Sequence, residues 1–549
     1  MFSIRAFVGL LAASCVASAL LDQPTLSFHI SDIQSAAIEA LDLSSIKPTN
    51  LSVDQKKELA IAFVKKQIGT FPVPGLGLSV VYKNKPIISQ GFGTTKYGDA
   101  TAAVAPNTLF QIGSYSKTFI ALAIGKLVDE KKLDWLDPVK QHLPWFALAD
   151  EYAEKYTTIG DLLSMNSVFG DHQGDVVWAT GVYPTEKGFV QALANFDTTR
   201  PLRPGYAYSN LNFEILGQIV QSKTNQSWSE YLASTFWTPL GMTNTVGRPS
   251  DARSPERISS GHFFCDTKVI GPFDLLKDSI VTLIPRNDYL AAGSILSTTD
   301  DLTKFSQFLL AKGTSSPSIF SSPAIVSAMM TGHTVGSVIP TEYFPFFGLS
   351  YTSDGDAVTA GYGFDIVGDV LFGHHYVNKG GDTFAFKTRN GFVPSQGLGV
   401  VLLSNAQRSG GHQGNGVRLD LMTSYIAGLF LDIPIDVLDN QFNRALATLD
   451  AIPPVPCDDH FFNGKPWDTP GLAIPDATKQ VLVGTYAANI STDYYGDIEV
   501  FEDGDDLKLQ LGIYAERLIA TADPSIFIWA TDFNAQTKKI AFTGLNTST

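Results

Sequence analysis

This chain has little cysteine, little histidine and no surplus of positive charge. Of its 549 residues three are cysteine and nine are histidine. The cysteine spacing fits no metal-binding pattern. The one histidine pair, His374-His375, lacks a His-Glu-x-x-His context and reads as loop or satisfied core, so no metal site is expected. A formal charge of −15 gives no general attraction to nucleic acid or to an anionic membrane, and neither is expected as a partner. Gly-x-Ser-x-Gly is missing too. Gly77-Leu78-Ser79-Val80-Val81 and Gly348-Leu349-Ser350-Tyr351-Thr352 both lack the second glycine, which argues against a Ser-His-Asp hydrolase. There is no internal repeat and no low-complexity tract.

Long apolar runs are scarce as well. The one at the start, residues 6–16, follows Arg5 and precedes Ala17-Ser18-Ala19, the pattern of a secretory signal peptide over residues 1–19. Ser14, Ser18 and Asp22 interrupt it before the roughly twenty apolar residues that a membrane anchor needs. Cleavage near Ala19 predicts an extracellular protein, in which Asn50, Asn225, Asn489 and Asn546 are candidate glycosylation acceptors if the host is a eukaryote. It also removes Cys15 and leaves Cys265 and Cys457 as a candidate disulfide in an oxidising compartment.

An apolar fraction of 44% over this length supports two or three domains. Residues 20–70 read as an N-terminal extension with a helix at 53–68. Residues 71–430 read as the main domain. There 78–82 and 86–89 flank Lys83-Asn84-Lys85 as a hairpin, strands return at 384–388 and 398–404 with Gly391 and Pro394 between them, and helices fill the middle. This is an α+β pattern: a sheet assembled from distant parts of the chain, with a helical lobe inserted. Residues 431–475, dotted with proline, read as a connector. Residues 476–549 carry five short strands separated by turns and read as a small β-barrel or sandwich.

The chemistry gathers at Gly113-Ser114-Tyr115-Ser116-Lys117. If a helix starts here, Lys117 lies one turn beyond Ser114 on the same face, and a buried lysine could take the proton of the serine hydroxyl. Ser-x-x-Lys alone is weak, since Ser44-Ser45-Ile46-Lys47 matches it before Pro48 and a capping serine fits the same place. Two further pieces join it, Tyr208-Ser209-Asn210 and Lys379-Gly380-Gly381. Each also has decoys: Tyr82-Lys83-Asn84, Tyr376-Val377-Asn378 and Lys96-Tyr97-Gly98. Context separates them, because Tyr208 precedes an apolar helical run and Lys379 leads into a strand.

With these three motifs in this order, the chain resembles the serine β-lactamase and penicillin-binding-protein-like hydrolases, in the branch whose second motif is Tyr-x-Asn. The segments Ala291-Ala292-Gly293-Ser294 and Gly397-Leu398-Gly399-Val400 look like family sequence, and the tail from Val483-Gly484-Thr485-Tyr486 resembles a lipocalin-like C-terminal domain. The resemblance implies an antiparallel sheet flanked by helices and a serine hydrolase that forms an acyl-enzyme without a cofactor, which the signal peptide would export. Its substrate would be a small ester or amide, a carboxylic ester first. β-Lactamase, D-amino-acid peptidase and a catalytically silent binding protein remain as alternatives.

By the same resemblance Ser114 attacks, while Lys117 and Tyr208 share the work of the base. Asn210 bonds Lys117 or the acyl group. Lys379 favours a Tyr208 phenolate, with Gly380, Gly381 and Asp382 lining the substrate. The oxyanion would rest on the N–H groups of Ser114 and Asp382. Two departures are visible: Leu162-Leu163-Ser164-Met165-Asn166-Ser167-Val168 replaces a Leu-Leu-x-His-x-Ser-Gly pattern, and Gly380 stands where a hydroxyl residue is common.

Overall fold

The structure is a computed structural model that describes residues 45–198, 200–336, 358–410, 415–451, 453–463 and 471–542. The expected signal peptide, Ser44, the stretch 348–352 and Asn546 lie outside them. Strand β1 (Gly75–Tyr82) turns through Lys83 and Asn84 into β2 (Lys85–Gly93). Both turn residues have positive φ, 51° and 60°. Such a two-residue turn follows the right-handed twist of the strands it joins.

The remaining strands of this sheet come from the far end of the domain: β3 (Thr334–Val335), β4 (Thr359–Gly361), β5 (Phe364–Leu371), β6 (His374–Asn378), β7 (Gly381–Asp382), β8 (Lys387–Val393) and β9 (Leu398–Ser404). Their order is β2-β1-β9-β8-β6-β5-β4-β3, antiparallel throughout, with β7 paired to β8 off this path. A sheet that joins β1 to β9 encloses all the intervening chain. The inserted lobe follows from that.

The period of two along β9 divides the interior. Leu398, Val400 and Leu402 enter one core, while Val401 and Leu403 enter the other. The first core holds helices α2 (Ser116–Asp129), α3 (Leu211–Thr224) and α4 (Thr299–Leu310). The second holds α1 (Val53–Ile68), α5 (Asn415–Phe430) and α6 (Ile435–Asp450), where the Phe63 ring stacks on Tyr425 at 3.8 Å and meets Phe442 at 5.1 Å. The expected boundaries at 70/71 and 430/431 therefore do not separate packing units. Helix α1 belongs to the second core, against the sheet of the main domain. The proline-dotted connector contributes α6 to the same core, because apolar residues at helical spacing (Leu438, Phe442, Ala445, Leu449) bury one face.

Strand β8 starts at Lys387, later than expected, and Gly391 lies inside it. A Cβ at Gly391 would strike the Tyr376 ring, a packing reason that its sequence position does not reveal. His374-His375 opens β6, and the exposed His375 pairs with Asp369 at 3.1 Å. Cys265 and Cys457 are joined in a disulfide with Cα atoms 5.7 Å apart.

The tail is a six-stranded antiparallel meander: β10 (Gly484–Ala487), β11 (Asp497–Asp503), β12 (Asp506–Leu511), β13 (Tyr514–Ala520), β14 (Ile526–Trp529) and β15 (Lys538–Ala541). It forms a half-barrel whose apolar interior is continuous with the first core. Among the described residues no helix is long and apolar enough to cross a membrane.

Candidate active site

Ser114 sits in a 3₁₀ turn, Gly113–Tyr115, that runs directly into α2. Its side chain does not cap that helix. The turn is pressed against β7, and two glycines make the crossing possible. A Cβ at Gly113, whose φ is +54°, would lie 2.6 Å from the Asp382 nitrogen, and one at Gly381 would lie 2.9 Å from the Ser114 nitrogen. The amides of Ser114 and Asp382 are thereby brought side by side.

The Lys117 amine is fully buried and lies 2.9 Å from Ser114 Oγ, 2.7 Å from Asn210 Oδ1 and 2.8 Å from the Ala292 carbonyl oxygen. An uncharged amine satisfies this set completely. Two N–H groups then donate to Asn210 and Ala292 while the lone pair faces the Ser114 hydroxyl; an ammonium would instead donate to all three oxygens, Ser114 Oγ included. Electrostatics favours the uncharged amine: burial pushes the Lys117 pKa well below the usual lysine range and the nearby Lys379 adds to it, against Asp365, Asp175 and Glu214.

Asn210 holds its orientation because its Nδ2 donates to Asp175 Oδ2 at 2.6 Å. The same carboxylate lies 3.0 Å from His172 Nδ1, and its other oxygen accepts from Trp178 Nε1 at 3.1 Å. Ala292 is held in turn, since its N–H donates to Glu214 at 2.9 Å, and Glu214 sits on α3 one turn beyond Asn210. The altered loop is tied to the second motif: Ala207 N–H donates to the Met165 carbonyl and Ser167 to Asn212 Oδ1, at 2.9 and 2.8 Å.

Lys379 departs from expectation. Its amine is 3.3 Å from the Tyr208 hydroxyl but only 2.6 Å from Asp365 Oδ2, so its charge is already matched. Burial, joined by Asp365, drives the Tyr208 hydroxyl well above the usual tyrosine range, and a bond to Ser114 offsets this only in part. The expected phenolate is not favoured here; Tyr208 stands as a phenol between two amines, 5.0 Å (Lys117) and 4.8 Å (Lys379) from its ring centre.

The structure thus gathers Ser114, Lys117, Tyr208, Asn210, Lys379 and the 380–382 segment in one place. Asp175, Asp365, Glu214 and the Ala292 carbonyl complete it. Of these only Ala291-Ala292-Gly293 carried any signal in the sequence, as part of a familiar segment. The disulfide lies elsewhere, and Asn50, Asn225 and Asn489 are all exposed.

Residues 62–421 match the family model described as Beta-lactamase. An unguisins hydrolase of Aspergillus campestris is 26% identical over 358 residues, covering 64% of this chain and 62% of that protein. Protein flp of Staphylococcus aureus strain N315 is 27% identical over 220 residues, 38% of this chain and 41% of that one. The chain thus spans less than two thirds of the length of these relatives. An octameric penicillin-binding protein homologue from Pyrococcus abyssi shares the fold with a TM-score of 0.56 at 19% identity, covering 88% of this chain and 95% of that one.

Proposed function

This chain belongs to the Beta-lactamase family, and on that premise we propose that it is a secreted serine hydrolase working through an acyl-enzyme, with carboxylic esters of small molecules as preferred substrates. One observation carries the reading: a buried lysine amine 2.9 Å from a serine hydroxyl, with its two other partners pure acceptors. The Ser114 proton passes to Lys117 Nζ as Oγ attacks the acyl carbon. Negative charge then develops on the carbonyl oxygen, where the Ser114 and Asp382 N–H groups would meet it. Tyr208, a phenol at rest, donates its proton to the leaving oxygen and recovers one from the Lys117 ammonium. Water then releases the acid by the reverse proton route. The base work thus falls to Lys117.

The ester preference rests on chemistry. An alkoxide leaves with less help than an amide nitrogen, and Gly380 offers no hydroxyl beside Lys379 to read the carboxylate of a β-lactam. Secretion and glycosylation are supported by the N-terminal pattern, the disulfide and the three exposed sequons. A fluorophosphonate probe tests the nucleophile: it should label Ser114 and fail on Ser114→Ala. Specificity constants over p-nitrophenyl esters, nitrocefin and D-amino-acid amides test the substrate class. Faster turnover of nitrocefin or an amide than of every ester would overturn the ester assignment.

A further inference from the structure

The half-barrel does more than lie beside the main domain: it grips the chain segment that carries Asp175. Tyr494, fully buried, donates from its hydroxyl to the Gly174 carbonyl at 2.9 Å. Gly174 has φ +79°, and a Cβ there would meet the Tyr494 hydroxyl at 2.7 Å. Tyr183 returns the contact, donating to the carbonyl of Tyr494 at 2.8 Å. At the far end of the segment the β12–β13 turn closes on Thr180, whose carbonyl accepts from Ile513 N–H at 2.9 Å. Gly512, with φ +59°, has no room for a side chain against that same carbonyl.

Between these two grips lies Asp175, bonded to Asn210, which is bonded to Lys117. We propose that Asp175 is a positioning residue for the catalytic lysine, and that Tyr494 of the C-terminal half-barrel holds it in place through Gly174, making the tail part of the device that sets the base. This rests on the Ser114–Lys117 reading. Asp175 acts on Lys117 in two ways. It fixes which face of the Asn210 amide the lysine meets, and its negative charge favours the ammonium.

Other charged groups also face this pair. Lys379, Asp365 and Glu214 act on Lys117, with the Tyr208 ring beside it. His172, Tyr494 and Tyr495 surround Asp175, and Asp171 on the same segment accepts the Tyr208 N–H at 2.6 Å. Of these the test changes only Tyr494, by one hydroxyl that carries no charge.

The sign is definite. Labelling needs the uncharged amine, so its rate falls at low pH as Lys117 protonates. Removing the Asp175 charge makes that protonation harder and moves the acid limb to lower pH.

The experiment measures the second-order rate of fluorophosphonate labelling against pH on the full chain. Asp175→Asn should lower the plateau about tenfold and move the acid limb down by about one pH unit. Tyr494→Phe, which deletes one hydroxyl and keeps the ring, should move both the same way by about threefold. If Tyr494 works through Asp175, the double variant should label no more slowly than Asp175→Asn alone. Ser279→Ala removes a different bond between the two parts, the 2.6 Å contact with Asp532, and should leave the limb in place.

A Tyr494→Phe protein that melts lower but labels with an unmoved limb and plateau would overturn the proposal. So would additive effects in the double variant, or a Ser279→Ala shift as large as that of Tyr494→Phe. Loss of labelling in Ser114→Ala bears on the nucleophile alone, so the two readings can fail separately.

Discussion

Two buried ionisable clusters, one on β7 and β8 and one around Lys117 of α2, behave oppositely. In the first, Asp382 bonds Lys387 at 2.9 Å and Arg389 at 2.6 Å, and Arg389 reaches Asp420 at 3.1 Å. Burial opposes ionisation of Asp382, yet the two cations outweigh it and hold its carboxyl at about 2. In the second, Lys117 is as deeply buried but has only neutral partners within hydrogen-bond reach, and its pKa is driven down. Burial is common to both. What differs is whether a charge of opposite sign touches the buried group, and this separates an ion pair that braces a backbone from an amine that can take a proton.

The comparison can be broken by substitution. Ser114→Ala should remove turnover by on the order of 10⁴-fold or more, measured with a p-nitrophenyl ester, and undiminished activity would place the chemistry elsewhere. Lys117→Ala should cost on the order of 10³-fold, the middle of the range for a lost general base, with the protein still folded because no paired charge is stranded.

Tyr208→Phe should slow labelling about 100-fold while the acid limb of its pH profile stays where it is. Tyr208 is a phenol throughout that range, so a limb that vanished with the hydroxyl would return the base role to the tyrosine.

In the bracing cluster the effect is on stability. Asp382→Asn removes the anion that the buried Lys387 and Arg389 share, with Asp420 still on Arg389, and should cost about 3 kcal/mol in urea unfolding. In the wild type the corresponding stability is present above the usual aspartate value of 3.8 and lost as pH falls from there towards about 2. A melting profile that is flat across that window, in the variant and the wild type alike, would show the pairing to be dispensable. The smallest effect belongs to a surface pair, the half-buried Lys508 with the exposed Asp503, at 2.5 Å. Lys508→Ala should change neither melting nor labelling, since water already screens both charges.

The sequence by itself determined the local pieces. Helix α1 was legible from Val53 to Ile68, the β1–β2 hairpin from its polar turn, and the tail from the alternation in segments such as Leu507-Lys508-Leu509-Gln510-Leu511. The Ser114–Lys117 pair was legible because one helical turn fixes the distance between residues three apart. The order of the three motifs made the candidate catalytic residues legible as a set through family resemblance.

Only the tertiary structure decided what state those residues are in. Asp175, Asp365 and Glu214 are ordinary acids in the sequence, yet they decide which amide face meets the lysine, which amine is neutralised and which carbonyl accepts. The Tyr208 phenolate was expected from a neighbouring lysine, and the fold cancelled that lysine with Asp365, which no spacing rule links to either. Packing units were decided there too, because α6 and α1 share a core across most of the chain's length. The physical reason is the same in each case. A helix or hairpin is set by neighbours a few residues apart, whereas burial and the partners of a charge depend on chain brought together from far away.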